Sequence, residues 1–495
     1  MRVTSLRGGP RGLMSALQDK FEYKWIVAVT FVLGLFLEIM DTTIMNVAIP
    51  TLEEEFGASA ASMEWVVIGY LLALAVWIPA SGWIGDKVGT KKTFLFALFL
   101  FTAASALCGQ SNSLGQLIVF RLLQGVGGGM LVPVGTAMLY RSFPPAERAR
   151  ASTILIVPTV VAPALGPIIG GAIVDHLSWR WIFYVNLPIG VLGFIFGAIF
   201  LKEHKEPQAG KFDAPGFVLS GIGLAGILYA LSQGPTHGWF STPVLVTGLG
   251  GLALFALLVK VELTVKEPML ALRLYKDRIF RNANITNTMA YGSFAAFLFL
   301  LPQMLQGPFN ATALESGLTT LPQACGVILM SQIVGRLYHT VGPRRLVTFG
   351  LVVATLASLP FAFLGLGTSM WTIRILMFIR GCGASFSFVG LQASTYSNIE
   401  ARDTGRASSI FSAQRQTSAA LGVAIFATIF VSRMNHALPD NSAPVAAMSG
   451  YHAAFLGSVI VTALGAVYAY FNIHDEDAAP TMRPRPKKSK VSTSA

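Results

Sequence analysis

The chain has 495 residues, 53% of them hydrophobic and only 12% charged, with a formal net charge of +12. With a mean hydropathy of +0.61, it is too apolar for a soluble multidomain protein and reads as a polytopic membrane protein. Its apolar runs are continuous and do not alternate with period two, which excludes a membrane β-barrel.

In chain order, runs of about 20 apolar residues, the length that crosses hydrocarbon, fall roughly at 25–50, 63–84, 92–110, 115–140, 150–174, 181–201, 214–233, 243–263, 282–305, 315–338, 345–366, 371–395, 407–432 and 451–472. That pattern predicts an all-α protein with fourteen transmembrane helices. If residues 1–24 are cytoplasmic, 30 of the 36 Lys and Arg fall on the same side of the membrane. Only Arg180 and Arg433 fall opposite, and Arg121, Arg374, Arg380 and Arg415 lie within spans. The positive-inside rule therefore predicts a multi-pass cell-membrane protein with both termini cytoplasmic. It also accounts for the basic charge without nucleic acid.

Residues 1–24 lack the apolar core and cleavage site of a secretory signal, so no segment is expected to be removed. The final "RPRPKKSK" is expected to be a disordered tail able to touch anionic lipid. Cys108, Cys325 and Cys382 lie in or near spans without paired spacing, and read as apolar thiols rather than metal ligands or a disulfide. No metal and no cofactor are expected. No Walker-type phosphate loop is present, so a gradient rather than ATP is the expected energy source.

The chain repeats itself. "GWIGDKVGTKK" at 82–92 is answered by "GRLYHTVGPRR" at 335–345, with Gly82 matching Gly335, Gly89 matching Gly342, and Lys91–Lys92 matching Arg344–Arg345. Two six-helix halves are predicted, 25–201 and 282–472. A central segment, 202–281, carries two extra helices, and tails occupy 1–24 and 473–495. Internal repeats of this kind are the architecture of secondary transporters, whose site lies between the halves at mid-membrane.

By those boundaries, Glu38 and Asp41 are the only two of 24 acidic residues deep within a span. They sit about 20 and 24 Å from its cytoplasmic start and share one face with Thr42 and Met45. Arg121 reaches a similar depth in the fourth span, so an ion pair with one of the acids is geometrically possible. A purely structural pair is one reading. Charges at that depth usually face a cavity and serve a pathway, and two acids against one arginine leave one unbalanced, which makes a proton carrier. The pair is expected to titrate as a coupled unit.

At these residues the chain resembles a known family. "GWIGDKVGTKK" is similar to the signature loop of the major facilitator superfamily, and "RLLQGVGGG" from Arg121 to its fourth-helix motif. "APALGPIIGG" at 162–171 resembles its antiporter motif, with Ala162 where the first glycine would stand. "WRWIFYVNLPIG" at 179–190 and the Met40–Pro50 segment resemble the fourteen-helix drug:proton antiporters of EmrB/QacA type.

The resemblance implies a fold and a set of site residues. Gly82, Asp86, Lys87, Gly89 and Lys91 would form a conformational latch, with the glycines allowing a tight turn and Asp86 accepting hydrogen bonds from the start of a neighbouring helix. His339 replaces the acid in the second copy, so that latch should be weak or absent. Pro163, Gly166, Pro167, Gly170 and Gly171 would permit close helix contact, and, by the resemblance, a bend that seals the route. Asp41 becomes the first choice for proton site, with Arg121 its partner. Glu38 would tune the acid pair or contact substrate. Tyr70, Gln124, Phe294, Phe297, Gln303, Gln306, Gln414 and Arg415 are the remaining candidate substrate contacts.

The expected function is export of amphipathic drugs or other lipophilic, cationic or polar compounds by exchange for protons, by a monomer. A dedicated exporter of an endogenous lipid, siderophore or metabolite is the alternative on the same scaffold. A membrane enzyme is disfavoured because no Ser/His/Asp, metal or phosphate-loop arrangement is present.

Overall fold

The computed structural model describes residues 22–207, 209–265 and 268–482, without the side chains of residues 46, 50, 60, 61, 164, 167, 175 and 313. The "RPRPKKSK" tail and nearly all of the N-terminal tail lie outside the described residues. Fourteen described helices are long and apolar enough to cross a membrane, and no strand occurs among the described residues. They are α1 (Tyr23–Phe56), α2 (Ala60–Val88), α3 (Thr90–Gly109), α4 (Leu114–Ser142), α5 (Arg148–His176), α6 (Asn186–Phe200), α7 (Ala214–His237), α8 (Thr242–Thr264), α9 (Arg278–Gln306), α10 (Ala313–Val341), α11 (Pro343–Ser358), α12 (Met370–Thr395), α13 (Thr404–Ala437) and α14 (Ala443–Asn472).

Local chemistry places the ends. Ser113 accepts from the Gln116 amide at the start of α4, Asp277 from Phe280 at the start of α9, and Thr312 and Glu315 form a reciprocal capping box on α10, each satisfying donors that a helix start leaves open. Gly57 closes α1 at φ +56°, a left-handed cap that favours glycine. The helices exceed the apolar runs at several ends because interfacial polar residues extend them, as in α1 and α13. The sixth span is broken instead, with a short helix at Trp181–Tyr184 before α6.

Helices α1–α6 and α9–α14 pack in the same order. α2 lies on α4, α3 on α4, and α1 on α5 and α6; α10 lies on α12, α11 on α12, and α9 on α13 and α14. The two sets meet where α5 packs on α10 and α12 and where α2 and α4 pack on α13. The α7–α8 hairpin covers this second seam, with Gly221 of α7 opposite Val76 of α2 and Trp239 Nε1 donating to Thr428 Oγ1 of α13 at 2.9 Å.

The repeat is carried by two acids that the sequence motif does not contain. Glu203, just after α6, accepts from the Lys91 and Lys92 amides at 3.0 and 3.3 Å, capping α3. Asp475, just after α14, accepts from the Arg344 amide at 2.9 Å, capping α11. A Cβ on Gly89 or Gly342 would stand 2.4 Å from a carboxylate oxygen of Glu203 or Asp475 respectively, and both glycines have positive φ, +122° and +83°. The glycines are thus required twice over, by conformation and by the approach of the cap.

Candidate proton and substrate site

Asp41 lies on α1 in a fully enclosed network. Arg121 Nη1 donates to Asp41 Oδ2 at 2.5 Å, while Gln124 Nε2 and Asn186 Nδ2 donate to Oδ1 at 2.8 and 2.9 Å. Arg121 also donates from Nη1 to Gln124 Oε1 at 2.7 Å and from Nε to the Val66 carbonyl at 3.2 Å. Its guanidinium carbon stands 4.3 Å over the Tyr70 ring. Asn186 donates in turn to Ser105 Oγ at 3.1 Å. Helices α1, α3, α4 and α6 thus converge on one carboxylate, with Asp41, Arg121, Gln124 and Asn186 all buried. Both oxygens are occupied, which is what a carboxylate needs to stay charged away from water.

Glu38, one turn earlier, is treated differently. Its side chain is partly accessible and makes no hydrogen bond or ion pair with a described residue; the charges acting on it are Arg415 of α13 and Asp41. Leu35 and Phe31, three and seven residues before it and so on the same helix face, line a cavity between the helix sets. The cavity wall also takes in Thr136 of α4, Asn287, Tyr291 and Phe294 of α9, Phe388 of α12 and Arg415. At about 40 Å³ it is far smaller than a drug-sized pocket, so this conformation holds it contracted. Arg415 makes no ion pair within 4 Å among the described residues and lies 5.8 Å from the Tyr291 ring.

The end of the bundle that gathers the basic residues is closed. Asp86, buried within α2, accepts from Arg141 Nη2 of α4 at 2.6 Å, and Arg141 Nε donates to the Ala401 carbonyl at 3.0 Å. Gly405, in the first turn of α13, lies against the Asp86 carboxylate, where the helix dipole favours negative charge. The Gly82 amide donates to Ser409 Oγ at 3.0 Å, and a Cβ on Gly82 would meet the Gly405 carbonyl at 2.5 Å. Opposite, Arg148 of α5 donates to the carbonyls of Tyr396, Ser397 and Ile399 beyond the end of α12, and the Tyr140 and Tyr396 rings stack at 4.0 Å.

The family model of the Major Facilitator Superfamily matches residues 31–423 and 283–494 in two overlapping stretches. The chain belongs to the major facilitator superfamily. It is 34% identical over 401 residues to an uncharacterized MFS-type transporter of Bacillus subtilis, YhcA, covering 81% of this chain and 75% of the relative. It is 33% identical over 431 residues to the multidrug export protein EmrB of Escherichia coli, covering 85% and 83%. The crystal structure of the human organic anion transporter MFSD10 superposes with a TM-score of 0.65 at 15% identity, covering 90% of this chain and 99% of that one, a likeness of fold alone. The superfamily and these relatives make the chain a membrane transporter of the fourteen-helix drug:proton antiporter family rather than an enzyme.

Within this superfamily frame the other predicted residues distribute unevenly. Gly82 and Asp86 lie within α2 rather than in a turn, so Asp86 takes the Arg141 side chain and Glu203 caps the next helix. Lys87 is exposed, while Lys91 donates through Nζ to the Ala198 carbonyl at 2.7 Å. Among the described residues His339 forms no ion pair, and its Nδ1 is buried without a partner.

In α5, Gly166 seats the helix against Thr43 of α1, and Gly170 lies against Ile44. Pro163 is half-buried and Gly171 faces open space; the Pro167 side chain lies outside the described set. α5 runs unbroken through the motif.

Phe294 and Arg415 line the cavity, whereas Tyr70 and Gln124 belong to the Asp41 network. Phe297 is packed with Phe361 and Phe455, and Gln303 and Gln306 are exposed near the far end of α9. Gln414 is tied down: it donates to the Asn284 carbonyl and to Thr288 Oγ1 and accepts from Tyr275 Oη at 3.0 Å. Tyr275 lies in the connection before α9, where burial pushes its phenol up to about 12, so the hydroxyl stays a donor.

Sequence reasoning missed Asn186, Ser105, Glu203, Asp475 and Arg148. Asn186 had a signal, a lone amide in an apolar segment. The two caps had none beyond sitting after the last helix of each set.

Proposed function

We propose that this chain is a proton-coupled secondary transporter that exports amphipathic drugs or other lipophilic compounds from the cytoplasm or inner leaflet in exchange for protons. It works as a monomer of two six-helix halves, α1–α6 and α9–α14, with both termini cytoplasmic. The observation that carries this reading is the contrast between two carboxylates one turn apart. Asp41 has every oxygen satisfied, while the Glu38 side chain is partly accessible, has no hydrogen bond to a described residue and stands one turn along α1 from Leu35 of the cavity wall.

Glu38 is therefore the carboxylate that meets protons and the basic end of a substrate, and Asp41 is the charged anchor whose network must loosen before it takes a proton. With the cytoplasmic end latched by Asp86, Arg141 and α13, protons arriving from outside neutralise Glu38 and weaken a bound cation, which leaves. Re-opening towards the less acidic cytoplasm returns the proton and restores the site. Only an interaction that differs between the two protonation states couples the two movements.

The test is substrate-induced proton release from purified protein in weakly buffered detergent, with a lipophilic cationic dye as substrate. Release should fall strongly in Glu38→Gln, fall in Asp41→Asn, and be absent in the double variant. Undiminished release in the double variant would overturn the first-helix proton site.

A further inference from the structure

Arg380 of α12 is a buried guanidinium with no acid partner among the described residues. It lies ten residues into the helix, about 15 Å from its start at ~1.5 Å per residue, and is 5% exposed. Its Nη1 donates to Gln323 Oε1 at 2.5 Å and its Nε to Ser358 Oγ at 3.0 Å. Its Nη2 donates to no described residue, and no carboxylate acts on it. The internal repeat sharpens the oddity. Gly125 of α4 approaches the Tyr70 carbonyl as Gly381 of α12 approaches the Gln323 carbonyl, so Arg380 stands where α4 has Gln124. The first half balances its buried arginine with Asp41; the second half leaves its own unbalanced.

Two further observations point the same way. The guanidinium carbon is 3.8 Å from the Phe297 ring and 5.2 Å from the Phe294 ring, and Phe294 is also cavity wall. Asn287, two turns earlier on the same face of α9 and likewise in the wall, has its Nδ2 buried without an acceptor. Unsatisfied donors and an unpaired cation at mid-membrane are costly, so groups kept this way serve a ligand. Both donors ask for an acceptor, and an anionic one best.

Resting on the export reading above, we propose that the preferred substrates are zwitterionic amphiphiles. The amine lies toward Glu38, whose charged neighbours are Arg415 and Asp41, the apolar body lies against Tyr291, Phe294 and Phe388 with an acceptor of its own for Asn287, and the carboxylate is received by Arg380. Protonation of Glu38 loosens only the amine end, so the fixed Arg380 end sets which molecules are carried and the titrating end sets when they leave. Phe294 turns aside and the cavity widens as the carboxylate enters.

A matched set of fluorescent probes separates the ends: 4′-(aminomethyl)biphenyl-4-carboxylic acid as zwitterion, its carboxamide as cation, and its N-acetyl derivative as anion. Each is titrated against purified protein at one pH. The zwitterion should bind about tenfold more tightly than either single-charge probe, the scale of one charge-assisted contact. Arg380→Gln should abolish the advantage over the carboxamide and keep the advantage over the acetyl derivative; Glu38→Gln should do the reverse. Arg380→Lys should retain part of the carboxylate preference.

Wild-type protein that binds the carboxamide as tightly as the zwitterion overturns the inference, whether or not the variants fold, and leaves proton-coupled export standing. Equal weakening of all three probes by Arg380→Gln also overturns it, because a helix anchor acts on every ligand alike. A zwitterion preference without substrate-induced proton release overturns the coupling and leaves the specificity intact.

Discussion

Three side-chain donors hold the Asp41 carboxylate, and that decides what a substitution does at the residue scale. Removing one partner of a buried ion pair leaves an uncompensated charge and costs about 3–5 kcal/mol, whereas removing both charges costs far less. Arg121→Ala should therefore lower the thermal midpoint in detergent sharply, and Arg121→Ala with Asp41→Asn should recover most of the loss. Midpoints of the four proteins form a double-mutant cycle; strictly additive losses would mean that the pair is not coupled. Asn186→Ala should cost about 1–3 kcal/mol, since it strands one hydrogen-bonding site on the acid. Equal depth in two spans made the Asp41–Arg121 pair legible in the sequence. Which acid Arg121 takes was not, because Glu38 and Asp41 share a face and only the rotation of α1 against α4 separates them.

At the scale of elements, the closed end depends on two helices meeting closely at small residues, Ser81 and Gly82 on α2 against Gly405 and Ser409 on α13. Ser81 Oγ and Ser409 Oγ are 3.2 Å apart across α2 and α13. Cysteines at both positions, in a protein freed of Cys108, Cys325 and Cys382, should form a disulfide under mild oxidation. Transport should stop on oxidation and return with reductant. A cross-linked protein that still transports would mean that this seam does not open in the cycle. Asp86→Asn keeps the shape but loses the charge facing Arg141 and the start of α13, so transport should slow while substrate binding in detergent changes little; equal loss of binding would assign Asp86 to the site or the fold. Glu203→Ala and Asp475→Ala each remove a helix cap, worth roughly 1 kcal/mol, and should lower the thermal midpoint by similar amounts if the repeat is energetically as well as geometrically matched.

For the whole molecule, the distribution of basic residues governs orientation. Phosphatase and fluorescent reporters placed after Ser494 should report the cytoplasm, and a reporter in the 438–442 connection between α13 and α14 the outside. The same side for both would remove an even number of spans with this polarity. The α7–α8 hairpin lies over the seam between α2 and α13 and so rides on a boundary the cycle must work against. A bulky residue at Gly221, which faces Val76, should slow transport without changing the number of spans.

Solvent class, helix number and the repeat are one-dimensional properties. Apolar run length, charge between runs and spaced glycines are set residue by residue, and the sequence by itself determined them: fourteen spans, two matched loops, two acids deep in α1 and an arginine, Arg121, at their depth. Pairing is a property of helix rotation and tilt, which no run length encodes. Only the tertiary structure decided that Arg121, Gln124 and Asn186 all converge on Asp41 and leave the Glu38 side chain without a hydrogen bond to a described residue. It also decided that Asp86 pairs with Arg141 while Glu203 and Asp475 cap the next helices, that Gln414 and Phe297 are tied to neighbouring helices, and that Arg380 lies against Phe294 and Phe297 with no carboxylate partner among the described residues. In each case the chain places partners dozens to hundreds of residues apart, and their meeting depends on how helices seat against one another, through contacts such as Gly82 on Gly405 and Gly166 on Thr43.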